Sequence, residues 1–377
     1  MRTSSRGEVD PFIVMDVMEA ARAEEARGRS IVHMEVGQPG TPAPRAAREA
    51  LAAAMSARPL GYTVALGLPE LRARIARLYG ARYGVDLDPA RVVVTGGSSS
   101  AFILAFTSLF AAGERVAIAE PGYPSYRNIL RALDVTPVGI VTELADRFQP
   151  TPRELPDDLA GLLVASPANP TGSMLGRAAM AALIGACREQ GIAFVSDEIY
   201  HGVHYGARAT SALEIDDEVY VINSFSKYFS MTGWRIGWMV VPDAHVRRIE
   251  RLAQNLFICP PHASQIAALA ALDAEDELEA NLAVYRANRA LLLDGLPGAG
   301  FGRIAPPDGA FYIYADVSDM TADSRDLARR ILIEAGVSVT PGLDFDPGRG
   351  CTTLRFSYAG ATEDITEGLR RLHAWGG

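Results

Sequence analysis

The sequence predicts an α/β protein, with a mostly parallel, doubly wound sheet in a large domain and a smaller α+β domain beside it. Three observations predict this. The chain has 377 residues, more than one compact core usually serves. Short apolar, β-branched runs alternate with longer amphipathic stretches, which is the pattern of parallel strands joined by crossover helices. From about Leu278 that alternation gives way to a long charged helix and isolated short strands.

In chain order, a helix is expected from Phe12 to Arg27, packed on the small domain, and a plain amphipathic one from Ala43 to Arg58. Strands are expected at 92–95, 116–119, 162–165, 192–195 and 219–222, each an apolar run rich in valine, isoleucine or leucine. Helices at 101–112, 126–133 and 177–190 connect them. The charged helix begins near Leu278 and continues through Tyr285 and Arg289; strands at 309–314 and 353–358 then enclose a helix at 324–335. This divides the chain into an N-terminal arm (1–44), a large domain (45–278) and a small domain (279–377). No internal repeat is visible.

Composition removes several function classes. Hydrophobic residues make up 49% and charged residues 21% of the chain, ordinary for a folded globular protein. A net charge of −9 argues against general nucleic-acid binding, which needs clustered lysine and arginine. Cys187, Cys259 and Cys351 are odd in number and lack a paired C-x-x-C, so neither a disulfide framework nor a zinc site is expected. The start, Met1 to Gly7, lacks the apolar core of a signal peptide. The most apolar stretch, 101–112, is too short to span a bilayer and carries Thr107 and Ser108. No membrane association is expected, and the cytoplasm is the expected location.

Open α/β sheets bind ligands at the carboxyl ends of their strands. The residues there are Gly96-Gly97-Ser98-Ser99-Ser100, Glu120-Pro121-Gly122-Tyr123, Ser166-Pro167-Ala168-Asn169-Pro170, Ser196-Asp197-Glu198-Ile199-Tyr200, and Asn223-Ser224 followed by Lys227. These five groups would meet at one rim. Gly97, Ser98 and Ser99 between strand and helix form an anion site, because free N–H groups and the helix dipole both favour phosphate. A nicotinamide site fits poorly there: Ala101-Phe102-Ile103 stand where further glycines would be needed. Lys227 lies in Asn223-Ser224-Phe225-Ser226-Lys227, with Arg235 eight residues on. An amine among phosphate-binding groups is what holding pyridoxal phosphate as a Schiff base requires. Asp197 taken alone suits a helix cap; beside pyridoxal phosphate it is the carboxylate that the ring nitrogen needs. Tyr200 follows three residues on. Tyr123 reads as a core aromatic or as a ring stacked on the cofactor, and Asn169 as a turn residue or a donor to the ring hydroxyl. Arg355, inside an expected strand, needs an anion partner: a structural carboxylate or a substrate α-carboxylate.

Taken together, these residues resemble the class I/II aminotransferases of pyridoxal-phosphate fold type I, the aspartate aminotransferase superfamily. The stretches that carry the resemblance are Val36-Gly37-Gln38-Pro39, Gly61-Tyr62 with Gly67 to Arg72, the Gly96 to Ser99 turn, Asn169-Pro170-Thr171-Gly172, Asp197-Glu198-Ile199-Tyr200, Ser224 to Gly237, Pro307 to Tyr312, and Leu354-Arg355-Phe356. The resemblance implies Lys227 as Schiff-base lysine and proton shuttle, Asp197 on the pyridine nitrogen, Asn169 and Tyr200 at the ring oxygen, and Tyr123 stacked on the ring. It implies phosphate held by Gly97, Ser98, Ser99, Ser224, Ser226 and Arg235, with Tyr62 reaching in from a second subunit of a homodimer. Gly37, Asn169 and Arg355 would meet the substrate. The cofactor would be pyridoxal 5'-phosphate, the substrates an L-amino acid and a 2-oxo acid, and the kinetics ping-pong. Tyr123 stands where aspartate aminotransferases commonly carry tryptophan, the 37–42 loop is shorter than expected, and no second arginine aligns to a side-chain carboxylate; the amino donor stays open. A pyridoxal-phosphate lyase on the same fold and a non-catalytic regulatory module are the alternatives.

Overall fold

The computed structural model describes residues 1–376. Eleven α-helices and thirteen strands make up the framework. In order these are α1 (Ile13–Ala26), β1 (Val32–His33), α2 (Arg45–Ala57), α3 (Pro69–Tyr83), β2 (Val92–Thr95), α4 (Ser98–Leu109), β3 (Arg115–Glu120), α5 (Pro124–Ala132), β4 (Thr136–Val141), β5 (Gly161–Ala165), α6 (Arg177–Gln190), β6 (Ala193–Asp197), β7 (Tyr220–Ser224) and β8 (Gly237–Val240). They continue with α7 (Asp243–Leu256), α8 (His262–Ala271), α9 (Glu275–Gly295), β9 (Arg303–Ile304), β10 (Tyr312–Asp316), α10 (Ser324–Arg330), β11 (Val337–Ser338), β12 (Thr340–Pro341), β13 (Thr353–Ser357) and α11 (Thr362–Gly376).

The large sheet runs β2-β8-β7-β6-β5-β3-β4. Strands β2 to β7 point one way and β8 runs against both of its neighbours, so the mostly parallel sheet expected from the sequence is present. Successive side chains of a strand face opposite sides, and here both sides are covered. Val92, Val94, Leu162, Val164 and Phe194 pack toward α3 and α6 through Leu71, Ile75, Met180 and Leu183. Val93, Val116, Ile118, Leu163 and Val195 pack the other way, onto Phe102 and Phe106 of α4 and Tyr126 and Leu130 of α5. That is why these strands read as continuous apolar runs rather than alternating ones.

The second sheet, β12-β13-β10-β9, is antiparallel, and β1 pairs in parallel with β11. Helix α1 packs against β11 and β12. Two elements depart from the sequence reading. The strand expected at 309–314 begins only at Tyr312, because Gly309 and Ala310 form a bend held by bonds to Gly172 and Val203. The helix expected at 324–335 is α-helical to Arg330 and closes in a wider π turn from Ile331 to Ala335, ending on Gly336 at φ 69°. No helix among the described residues is long and apolar enough to cross a membrane.

Candidate active site

The carboxyl ends of β2, β3, β5, β6 and β7 converge as the ligand rule for open sheets requires, and β13 faces them from the small sheet. Between them lies a cavity of about 200 Å³ lined by Gly37, Ser98, Ser99, Tyr123, Asn169, Asp197, Tyr200, Ser226, Lys227, Arg235 and Arg355, together with Tyr126 and Tyr312. The first eleven are residues the sequence singles out. Gly97 lies just behind them, and two others stand apart. Ser224 is buried beneath the lining, its hydroxyl donated to the Ile236 carbonyl at 3.0 Å and shared with Ser226 Oγ at 2.8 Å. Tyr62 is 83% exposed on the surface of the chain.

Lys227 sits just beyond β7, its Nζ donating to the Gly37 carbonyl at 2.6 Å. Burial first, then the charges of Arg355 and Arg235, pulls this amine down to about 7. A lysine in that range carries a reactive neutral amine near neutral pH. A count of lysines points to the same residue. The chain has 36 lysines and arginines, Lys227 is the only lysine, and the remaining 35 are arginine.

Asp197 ends β6. Its Oδ1 accepts from Ile199 N at 3.0 Å and its Oδ2 accepts from the Tyr126 hydroxyl. Burial pushes the carboxyl up to about 6, against those two bonds and Lys227. The next residue, Glu198, fixes the loop: it is fully buried and accepts from Ala212 N at 2.8 Å and from Ser211 Oγ at 3.0 Å.

At the other end, Gly97 caps α4 at φ 87°, and a Cβ built on it would lie 2.5 Å from Arg235 Nη2. The glycine therefore lets a guanidinium approach a helix N-terminus already flanked by Ser98 and Ser99. Cationic side chain, helix start and hydroxyls together fit a phosphate.

Arg355 is 3% exposed at the centre of β13. Its guanidinium lies between the rings of Tyr312, at 4.3 Å, and Phe345, at 4.7 Å. Nη1 donates to Asn169 Oδ1 at 2.9 Å and Nη2 to the Glu35 carbonyl, while Nε has no partner among the described residues. A buried, unpaired guanidinium nitrogen is costly unless an anion meets it. The bond to Asn169 Oδ1 leaves its Nδ2 without a hydrogen-bond partner among the described residues. Tyr200 pairs with the Tyr312 hydroxyl at 2.8 Å. Gly37 is held by proximity rather than by φ: a Cβ there would sit 1.6 Å from the Tyr312 hydroxyl oxygen.

Three residues with no role assigned from sequence belong to this site. Tyr126 could have been found from its spacing, since it lies three residues after Tyr123 on α5 and so shares its face. Tyr312 lies in a matching stretch, Pro307 to Tyr312. Phe345 had no local signal; it arrives by tertiary packing.

The two shifted groups give opposite pH signatures in the cofactor-free protein. The folded pKa of Lys227 is lowered from 10.5 to about 7, so between those values the unfolded chain binds more protons and stability rises with pH. Asp197 is raised from 3.8 to about 6, so its contribution is present below the unfolded value and is lost as pH rises through about 6. Urea unfolding at pH about 7 and about 9.5 should show wild type gaining stability relative to Lys227→Met. Parallel curves for the two proteins would show that Lys227 titrates normally.

Comparisons with known proteins agree with this geometry. The family model described as aminotransferase class I and II matches residues 29–372. A protein of Mycobacterium tuberculosis named valine–pyruvate aminotransferase is 48% identical over 381 aligned residues, 99% of this chain and 98% of that protein. A crystal structure of an aminotransferase from the same organism superposes with a TM-score of 0.98 at 48% identity, covering 100% of this chain and 99% of the other. Aspartate aminotransferase from Thermus thermophilus, solved with maleate, gives 0.93 at 30% identity over 99% of this chain and 100% of its own. With the matched region running from before Gly37 to beyond Arg355, the chain belongs to the class I and II aminotransferase family.

Proposed function

We propose that this aminotransferase moves the amino group of a neutral, apolar L-amino acid to a small 2-oxo acid, using pyridoxal 5'-phosphate, as a cytoplasmic homodimer. The observation that carries the reading is one cavity holding the chain's single lysine, with a pKa near 7, beside a buried carboxylate and between two arginines with different surroundings. When bound, the cofactor supplies an aldehyde carbon to carry nitrogen and a protonated ring that draws electrons from the substrate α-carbon.

The chain's residues do the rest. Arg235, Gly97, Ser98, Ser99 and Ser226 hold the phosphate, with Ser224 supporting Ser226. Asp197 keeps the ring nitrogen protonated, and Tyr126 orients Asp197. Tyr123 would stack on the ring, and Asn169 and Tyr200 would hold its oxygen. Arg355 takes the α-carboxylate through its free Nε side, close to Gly37. Lys227 would hold the cofactor's aldehyde carbon at rest, and its Nζ, once freed, would move the proton from the substrate α-carbon to C4′ as general base and acid. A 2-oxo acid runs the sequence backwards, so the kinetics are ping-pong. On this division residues 45–278 carry the cofactor, while the N-terminal arm and the small domain bring Gly37 and Arg355 to the substrate.

Two features support a neutral donor. Among the described residues, the only cations lining the cavity are Lys227, Arg235 and Arg355, and its roof is Phe12, Val14, Met15 and Val36. The relative named for valine and pyruvate agrees with this. Support for a homodimer comes from Tyr62, Val64, Met55, Leu256, Phe257 and Ile258, large apolar side chains left exposed on one copy, which a second copy would cover while bringing Tyr62 to the phosphate. Free cysteines suit a reducing compartment.

Amino acid added to the cofactor-loaded enzyme without any 2-oxo acid should convert one equivalent of cofactor and stop. Continued turnover would replace this reading with a lyase, and no conversion by any amino acid would leave a non-catalytic ligand-binding module. The same preparation should sediment at about twice the chain mass of 40.3 kDa; a monomer would remove the shared-site part of the reading.

A further inference from the structure

We infer that the dipeptide Asp344-Phe345 sets donor specificity: the Asp344 carboxylate pins the first turn of α1 across the cavity, and with it the apolar roof that meets the substrate side chain. This rests on the aminotransferase reading with an apolar donor. Helix α1 has no cap of its own, since Phe12 at its N-cap makes no side-chain bond. Instead Asp344, 331 residues away, accepts from Ile13 N with Oδ1 at 3.0 Å and from Val14 N with Oδ2 at 3.2 Å. Each carboxylate oxygen satisfies one orphan amide of the helix start, and the negative charge suits the helix dipole. Asp344 is 2% exposed; burial pushes its carboxyl up, against the two amide bonds and the charge of Arg355, and those bonds offset part of the cost of burying it.

Phe345 extends the clasp to the rest of the site. Its ring lies on the Arg355 guanidinium, and its carbonyl accepts from Gly122 N at 3.0 Å, next to Tyr123. Tyr123 in turn meets the Phe12 ring edge-on at 5.7 Å. Two residues thus tie together the roof, the carboxylate-binding arginine and the ring-stacking loop. With the substrate carboxylate on Arg355 and its α-carbon at Lys227, the start of α1 and its N-cap supply an apolar part of the remaining wall, through Phe12, Val14 and Met15 beside Val36. Asp344 is therefore a positioning residue that touches neither substrate nor cofactor.

The test compares the cofactor-loaded wild type with Asp344→Asn and Asp344→Ala, measuring kcat and KM for valine and for alanine, whose methyl group is too short to reach the roof. For valine, kcat/KM should fall roughly 10- to 100-fold, the range a lost apolar pocket contact produces, mostly through KM; for alanine it should stay within about threefold. Val14→Ala, which leaves the clasp intact, should reproduce the loss for valine. Equal losses for both donors would show a purely structural role and overturn the proposal, as would no loss. Hydrogen exchange of the Ile13 and Val14 amides, slow in wild type and fast in Asp344→Asn, reads the clasp without any turnover; unchanged exchange also overturns it. Failure of the aminotransferase reading shows separately, as a wild type that consumes neither donor.

Discussion

Replacing Lys227 by alanine should lower transamination by roughly 10⁴-fold or more, at or beyond the upper end of what a single acid–base group contributes. Two functions leave together, because the same Nζ anchors the cofactor and moves the α-proton. The chain has no second lysine to substitute for it. Cofactor affinity should fall but persist, since the Gly97 turn, Arg235 and Asp197 remain. Steady-state assays with the most active donor, alongside equilibrium dialysis of pyridoxal phosphate, measure both effects. A variant losing less than about tenfold in kcat would remove Lys227 from the chemistry.

Arg355→Lys should lower kcat/KM for amino acids by about 100-fold, because a lysine keeps the charge but loses the planar fork. The loss has a structural cause. The guanidinium is flat between Tyr312 and Phe345, at 4.3 and 4.7 Å, and spends Nη1 on Asn169; an ammonium cannot fill the stack, keep the Asn169 bond and also present a donor where Nε stands. Reaction of the bound cofactor with a simple primary amine lacking a carboxylate should change by less than about threefold, the size expected where no fork contact is lost. Similar losses for both kinds of amine would mean that Arg355 serves packing rather than carboxylate recognition.

The parts of the fold that were legible are those in which local pattern and burial agree. Five strands of the large sheet stand out because both faces are covered and their sequences are uniformly apolar. β4 does not: it contains Pro137 and Gly139 and lies at the sheet edge, where a missing N–H is tolerated. β8 is a short run that begins at Gly237, inside the lysine motif, and runs antiparallel, which strand–helix alternation does not anticipate. The site divides the same way. Lys227, Asp197, Asn169, Ser98 and Ser99 follow strand ends, so the rim could be read from sequence. Asp344 and Phe345 reach α1 and Arg355 only through packing between distant segments, as the 331-residue separation of Asp344 from Ile13 shows. Ser224 marks a subtler limit: its place in the motif was visible, but the carbonyl of Ile236 claims its hydroxyl.

Borohydride reduction of the protein incubated with pyridoxal phosphate reports whether Lys227 is the covalent anchor. No other side-chain amine of this sequence competes with it, because Lys227 is the sole lysine. Peptide mass spectrometry should find one phosphopyridoxyl group on Lys227 of each chain, and no side-chain label on Lys227→Ala. A wild-type chain left unlabelled at Lys227 would show that Lys227 does not anchor the cofactor.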